Sequence, residues 1–246
     1  MSITGLPGQG PVRVGIPIAD LTAGLFCALG ILVALLEREK SKQGQHVTTS
    51  LLQAQIFMLD FQGARWLIEG EVPKQAGNNH PTSIPTGVFK TADGHINIAS
   101  TGSKIWARFC AAADASELLQ RPEYQTAAER SKNRDALNAD IERYTVKRTS
   151  AEWIERLNKA GVPCGPIYSI DQVYADPQVE HLGMAQAVKT KDKSKLRMAG
   201  QPMSLSRTPS RLVARPPKLG EHTDAVLKEF GFSAKDIAAL RKANAV

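Results

Sequence analysis

Apolar residues run almost without interruption from Leu21 to Leu36, and Thr22 is the one polar side chain among them. The spacing predicts a helix over 21–39, because the run ends in "EREK", whose cations suit the C-terminal end of a helix. A membrane span needs about 20 apolar residues, more than this run supplies. The pattern therefore favours a buried core helix over a membrane anchor.

Shorter patterns predict the elements of the first third of the chain. The segment 12–18 is typical of a short strand, and 44–50 of a brief strand or a turn. A second helix is expected from Thr49 or Ser50 to residue 70, because its apolar positions favour one face. The segment "KQAGNNHPTSIP" (74–85) then breaks the periodicity and predicts a linker.

A hairpin is expected next, with Asp93–Gly94 as its turn and with Val88 and Phe89 set against Ile96 and Ile98. A capping box starting at Thr149 predicts a further helix. The other predicted elements are helices at 103–113, 126–147 and 150–160, a strand at Cys164, a short helix capped by Ser169, strands at 184–190 and 195–199, an extended segment at 201–219, and helices at 222–230 and 233–243.

These elements predict an α/β chain in three parts. Residues 1–73 form part of a large domain, 74–190 a small α+β domain with linkers, and 191–246 an extended arm with closing helices. The first two helices are too apolar to be stable without a sheet to cover them. We therefore expect a further portion of the large domain to complete the first part.

The chain has 31 Lys and Arg against 24 Asp and Glu, a net charge of +7, so an anionic partner is expected. The cations are scattered, and the densest cluster, 189–197, is typical of a solvated strand edge or loop. A phosphate-bearing small molecule explains the charge as well as a nucleic acid. Three widely spaced cysteines argue against a disulfide framework and a zinc site, and favour a reducing cytoplasm. The first residues do not match a signal peptide.

Asp20 is the principal candidate for chemistry. Asp is a favoured N-cap residue, and the spacing alone favours a cap at the start of the long helix. The same position keeps a carboxylate ionised beside free N–H groups, where it can act as a nucleophile or a base. The two roles are compatible.

The segment "GNNHP" is a second candidate. It contains Gly77, Asn78, Asn79 and His80, and its composition suits either a surface loop or a loop that closes over an active site. The five histidines lack metal-binding spacing, so we expect no metal site. Cys164, in a Pro/Gly turn, favours a packing role, and no dinucleotide or P-loop motif is present.

Taken together, these motifs resemble the class III coenzyme A transferases (CaiB/BaiF type), which include formyl-CoA transferase, carnitine CoA-transferase and α-methylacyl-CoA racemase. The resemblance rests on "GPVRVGIPIADLTAGLFCALGILVALLERE", "GQHVTTSLLQAQ", "GNNHPTSIPTGVFKTADGHINIA", "GVPCGPIYSIDQVYADPQV" and "RPPKLGEHTDAVLKEFG", and it covers nearly the whole chain in order. Among subgroups, the chain is most similar to those handling dicarboxylic acyl groups.

The resemblance implies that Asp20 is the catalytic aspartate, which forms aspartyl intermediates with acyl-CoA substrates. It implies that 77–80 belongs to a loop that shields those intermediates from water, although the segment is less glycine-rich here than in the family. It further implies a Rossmann-like large domain, an interlocked dimer and CoA thioesters as substrates, with no permanently bound cofactor. Family members carry a long N-terminal portion that precedes the segment matched here, so this chain would work as a homodimer or with a partner N-terminal half.

Three alternatives stay open at this point. An acyl-CoA racemase or epimerase of the same family would use Asp20 as a base. A non-catalytic remnant would only associate with full-length relatives. A nucleic-acid-binding protein would owe its affinity to the positive charge, and its binding would weaken steeply with salt.

Overall fold

The computed structural model describes residues 1–188 and 196–246. The chain divides into two compact units, Met1–Ile167 and Tyr168–Val246. The first unit holds both candidate sites, the long apolar helix and the main hydrophobic core.

The long helix, α1, extends from Ile18 to Ser41 and confirms the prediction, although it begins three residues earlier. Pro17 is its N-cap residue, and Lys42 ends it in the left-handed conformation with φ 62°. The strand predicted over 12–18 is wrong. Pro11 and Pro17 have no N–H to donate to a neighbouring strand, and in the described residues this segment is irregular, with Val12 donating its N–H to the Thr4 carbonyl oxygen at 3.1 Å.

The single helix predicted up to residue 70 is two helices, α2 (Leu51–Phe57) and α3 (Phe61–Glu69). Ser50 caps α2, as expected, by accepting a hydrogen bond from the Gln53 N–H at 3.2 Å. The break falls at Asp60, whose φ of 50° cannot continue a right-handed helix. Apolar periodicity alone does not reveal such a local reversal.

Most of the apolar surface of α1 is exposed, contrary to the expectation of a buried helix. Only Thr22 and Ala23 are buried in it, and Leu25 is 70% exposed. It packs against α2 through the edge-to-face pair Phe26–Phe57, with centroids 5.1 Å apart. Among the described residues it is the one helix long and apolar enough to cross a membrane, a test that a core helix or a signal sequence also passes. The surface that would cover α1 is not supplied by the first unit.

The core of the first unit forms on a three-stranded antiparallel sheet in the order β1 (Thr86–Lys90), β2 (His95–Ala99), β3 (Cys164–Pro166). The hairpin is confirmed, with Phe89 opposite Ile96. Val88 is opposite Asn97 and lies on the other face, because successive side chains alternate across a strand. The expected pairing of Val88 with the core isoleucines is therefore wrong.

Helices α6 (Arg134–Thr145) and α7 (Ser150–Lys159) pack on the strands of this sheet, while α4 (Ser103–Ala112) packs against α7 and α5 (Ala127–Lys132) packs against α6. The predicted helix 126–147 is interrupted at Asn133, whose φ of −102° and ψ of 25° leave the helical region. The capping box of Thr149 and Glu152 is confirmed. Two short 3-10 helices, Ser116–Leu119 and Pro122–Tyr124, complete the layer. The fully buried side chains include Trp106, Phe109, Leu118, Leu137, Ile141, Trp153 and Leu157.

The second unit contains the remaining elements, each close to its prediction except α9, which was not predicted from the sequence. They are α8 (Ile170–Ala175), α9 (Pro177–His181), the antiparallel pair β4 (Ala185–Ala187) and β5 (Arg197–Ala199), α10 (Thr223–Glu229) and α11 (Ala234–Lys242). The predicted extended segment 201–219 contains no helix or strand. Most of the basic cluster 189–197 and parts of both predicted strands fall outside the described residues.

Candidate active site

A cavity of about 300 Å³ lies at the start of α1 and contains Asp20. The walls of this cavity come from the N-terminal residues, the irregular segment before α1 and the C-terminal part of α2. Its lining comprises Met1, Ile3, Thr4, Arg13, Val14, Ile16, Pro17, Ile18, Ala19, Asp20, Gln55, Met58 and Leu59.

Asp20 is not the cap of α1, so that interpretation is wrong. It is the third residue of the helix, after the N-cap Pro17, and no side-chain cap bond is formed. A capping carboxylate has to precede the first helical residue to reach the free N–H groups of the first turn. Within the described chain, the exposed carboxylate of Asp20 has no hydrogen-bond or ion-pair partner. It is therefore free to meet a ligand.

The first turn of α1 presents N–H groups beside this carboxylate. The N–H of Ile18 is bonded to Ile16 and that of Leu21 to the Pro17 carbonyl oxygen at 3.0 Å. Those of Ala19 and Asp20 lie in the first turn, where no intrahelical acceptor exists. Such groups, with the positive end of the helix dipole, can stabilise an oxyanion that develops next to Asp20.

Hydrogen bonds of Thr22 and Gln55 connect α2 to the start of α1. The Gln55 amide donates to Thr22 Oγ1 at 3.4 Å, and Thr22 Oγ1 donates to the Ile18 carbonyl oxygen at 2.7 Å. The wall that α2 contributes to the cavity is thereby held against the turn that carries Asp20. Gln55, which is one of two glutamines in the largely apolar helix α2, was not singled out from the sequence.

Arg13 is the second charged side chain in the cavity lining, and it too was missed. The sequence feature that could have pointed to Arg13 is its position as a lone cation in the apolar stretch "GPVRVGIP". Among the described residues, its guanidinium has no carboxylate within ion-pair distance. The cavity thus holds a cation and an anion, neither paired with another side chain.

The segment Gly77–His80 lies outside this cavity but is joined to its wall. Gly77 donates its N–H to the Gly5 carbonyl oxygen at 3.1 Å, next to Thr4. On the other side, the His80 N–H bonds to the Thr86 carbonyl oxygen at 2.8 Å and the Asn78 carbonyl oxygen accepts from Val88 at 3.1 Å. The segment therefore connects the cavity wall to the first strand of the small sheet.

Side chains of the same segment also have defined partners. Asn79 Oδ1 accepts from Asn138 at 2.7 Å. The His80 ring stacks on Phe61 of α3 with centroids 5.5 Å apart, and its Nδ1 accepts from the Ser83 N–H at 2.9 Å. These contacts give the four residues a local role, and shielding of an intermediate stays a prediction.

The remaining candidates do not join the cavity. Cys164 is half-buried, its thiol lies 3.6 Å from Asn158 Oδ1, and burial raises its pKa, which disfavours the thiolate. Over residues 1–188 and 196–246, no group of three or more His, Cys, Asp or Glu side chains is placed to hold a metal ion.

Comparison with known proteins identifies the family. The family model described as CoA-transferase family III matches residues 1–223. The chain belongs to this family. The resemblance noted in the sequence is thereby confirmed, and the mixed α/β fold agrees with that of a solved relative. The CAIB/BAIF family protein from Brucella suis superimposes with a TM-score of 0.78 at 30% identity, over 93% of this chain and 59% of that one.

Family III relatives of known name include three CoA-transferases. The chain is 32% identical over 230 residues to the succinate–glutarate CoA-transferase of Agrobacterium fabrum, covering 94% of this chain and 58% of the relative. It is 31% identical to the human succinyl-CoA:glutarate CoA-transferase, covering 93% and 52%. It is 32% identical to the acetyl-CoA:oxalate CoA-transferase of Acetobacter aceti, covering 94% and 58%. The chain thus spans little more than half the length of these relatives.

Proposed function

We propose that this chain carries the nucleophile of a CoA-transferase, with Asp20 as the residue that forms the covalent intermediates. The observation that carries the proposal is the Asp20 carboxylate itself. It lies in the first turn of α1, lines a cavity, and has no partner among the described residues. Membership of family III supports CoA transfer as the reaction.

The first half of the proposed reaction loads CoA onto Asp20. A carboxylate oxygen of Asp20 attacks the thioester carbonyl of the acyl-CoA, the C–S bond breaks, and CoA leaves as a thiolate. The acyl group remains on Asp20 as a mixed anhydride. The thiolate then attacks the aspartyl carbonyl carbon of the anhydride. The first acid leaves as a carboxylate, and Asp20 is left as a thioester of CoA.

The second half repeats these steps in reverse with the acceptor. Its carboxylate attacks the aspartyl thioester and releases the CoA thiolate, which attacks the acceptor's acyl carbonyl to give the new acyl-CoA and a free Asp20. Each step exchanges one activated acyl group for another, so little net driving force is needed. Positioning and oxyanion stabilisation are what the protein supplies, and the N–H groups of Ala19 and Asp20 are placed for the latter.

We propose dicarboxylic acids as the acids exchanged. The names of the three relatives support this class, since each contains a dicarboxylic acid: glutarate in two of them, with succinate or its acyl group, and oxalate in the third, where acetyl-CoA is the partner. The net charge of +7 suits CoA and its dianionic acceptors equally. The small volume of the Asp20 cavity suits a short acid and leaves the bulk of CoA to be bound elsewhere.

We further propose that the apolar surface of α1, α2 and α3 is covered by the portion of the family fold that lies outside the match, and that the assembled enzyme is a cytoplasmic dimer. The exposed side chains on these helices support a protein cover, because so many of them are large and apolar; they include Leu25, Leu29, Leu32, Leu36, Leu52, Phe57, Leu67 and Ile68. The covering portion can belong to the same polypeptide or to a separate one.

The test is capture of the aspartyl thioester. The purified chain is incubated with succinyl-CoA, alone and after co-expression with the unmatched N-terminal portion of the Agrobacterium fabrum relative, and then treated with hydroxylamine. Peptide mass spectrometry should find a hydroxamate at Asp20, and Asp20→Asn should abolish it while circular dichroism stays unchanged. A chain that forms no adduct in either condition contradicts the proposal and supports a non-catalytic remnant. Exchange of the α-proton without release of CoA would instead support a racemase.

A further inference from the structure

The cavity that contains Asp20 is lined by one cationic and one anionic side chain. Arg13 and Asp20 are the charged side chains of its lining, and within the described part of the chain neither forms an ion pair. Arg13 is exposed, and it lines the same concave surface as the proposed nucleophile.

We infer that Arg13 binds the distal carboxylate of a dicarboxylic acid while the other carboxylate of that acid meets Asp20. The inference rests on the proposed function and names the residue that selects its substrate class. The planar guanidinium presents paired N–H donors that match a carboxylate in a bidentate arrangement. An acid held in this way has its reacting end directed toward the first turn of α1.

Electrostatics explain why a cation is needed at this place. The acceptor approaches as a dianion, and it must bring one carboxylate close to a site that already contains the Asp20 carboxylate. Like charges a few ångströms apart repel. A diacid can pair one carboxylate with the guanidinium of Arg13 while its other carboxylate meets Asp20. A monocarboxylic acid has a single carboxylate, which pairs with Arg13 only when it is withdrawn from Asp20, and this difference is the origin of the inferred selectivity.

The remainder of the lining fits a short aliphatic diacid. Ile3, Val14, Met58 and Leu59 provide apolar contacts for methylene groups between the two carboxylates. A volume of about 300 Å³ is at the lower limit of ordinary ligand cavities, which span roughly 300–1,000 Å³. The cavity therefore suits an acid of a few carbons.

The inference is tested by calorimetric titration of the full chain with glutarate and with butyrate, which lacks the second carboxylate. The wild-type chain should bind glutarate at least about tenfold more tightly than butyrate. Arg13→Gln should remove this preference by weakening glutarate alone, and Arg13→Lys should retain part of it, since it preserves the charge but not the paired donors. Arg38→Gln, which removes the same charge from the distant end of α1, is the matched control and should retain the full preference.

Two results would overturn the inference: a wild-type chain with no preference for glutarate, or an Arg13→Gln chain that keeps it. The Asp20→Asn variant separates this test from that of the proposed function. It should bind glutarate at least as tightly as the wild type, because the repelling charge is gone. If the chain prefers glutarate but forms no adduct at Asp20, the inference about Arg13 is supported and the transferase mechanism is rejected.

Discussion

The backbone N–H of Gly77 donates to the carbonyl oxygen of Gly5 at 3.1 Å and so joins the two candidate features of the sequence. Gly5 belongs to the N-terminal loop whose Thr4 lines the Asp20 cavity. Gly77 begins the segment that continues through His80 into the first strand. A displacement of this segment therefore acts on the wall of the cavity, although none of its side chains lines it.

The Gly77→Ala variant tests this connection. Gly77 has φ of 62°, and an added Cβ would lie 3.2 Å from Leu6 Cδ2, so we expect a loss of about 1 kcal/mol in the free energy of unfolding. Hydrogen exchange should accelerate at the amides of Gly77 and Val12, whose bonds hold the N-terminal loop. Gly44→Ala, where an added Cβ meets nothing within 4 Å, is the control. Unchanged protection at Val12 would contradict the coupling.

The hydrogen bonds of Asp93 predict that the free energy of unfolding depends on pH. Its Oδ1 accepts hydrogen bonds from the Ser150 N–H at 2.7 Å and from Ser150 Oγ at 2.9 Å, and these bonds lower its pKa from the ordinary 3.8. Because the folded pKa lies below the unfolded one, the ionised carboxylate stabilises the fold above pH 3.8. That stabilisation is lost as the pH falls through the pKa that Asp93 has in the folded state.

The measurement is denaturant unfolding of wild type and Asp93→Asn across this range. The variant should be less stable near neutral pH, and the two curves should converge in strong acid. Glu155→Gln, which removes one exposed carboxylate on α7, is the control. Its free energy of unfolding should change with pH in the same way as that of the wild type. A difference between Asp93→Asn and wild type that is constant with pH would show that the charge of Asp93 is not responsible.

The sequence predicted those elements whose signals are local. Hairpin turn residues and the Thr149 capping box each act within a few residues, and the structure confirms both. The breaks at Asp60 and Asn133 were missed because a single backbone reversal leaves the apolar pattern unchanged. The helix start at Ile18 was missed because Asp20 is a better cap by residue type than Pro17.

The cavity itself could not be predicted in full. Asp20 stood out as a carboxylate beside an apolar helix, but Arg13 and Gln55 reach the same cavity from an irregular segment and from another helix. Their meeting depends on how α2 packs against α1 through Phe26 and Phe57, which no local pattern specifies. The available signals were a lone cation in an apolar stretch for Arg13 and a polar residue in a largely apolar segment for Gln55.

Stability should reside in the small sheet and its helices and not in α1. Leu137 is fully buried at 0% exposure, so Leu137→Ala should cost about 2–5 kcal/mol through lost contacts and a cavity. Leu25 is 70% exposed, so the same substitution there should change the free energy of unfolding by less than about 0.5 kcal/mol. Denaturant unfolding of both variants measures the contrast. Equal losses would mean that α1 is covered within the isolated chain.

The apolar surface of α1 should matter once a partner is present. The double variant Leu25→Glu and Leu36→Glu places charges where the side chains are 70% and 71% exposed, so the isolated chain should fold normally. Association with the N-terminal portion of the Agrobacterium fabrum relative, measured by co-purification and sedimentation, should fall at least tenfold, because a buried unpaired charge is costly.

Lys40→Glu, on the charged end of the same helix, is the control for association and should associate as the wild type does. Flotation of the wild-type chain with phosphatidylcholine vesicles provides the opposing outcome. Vesicle binding that the double variant loses, with no association to the protein portion, would assign the apolar surface to a lipid and reject the proposed cover. Association lost in the double variant and kept in Lys40→Glu would place the partner on the apolar face that begins one turn after Asp20, where it would also help to enclose the cavity.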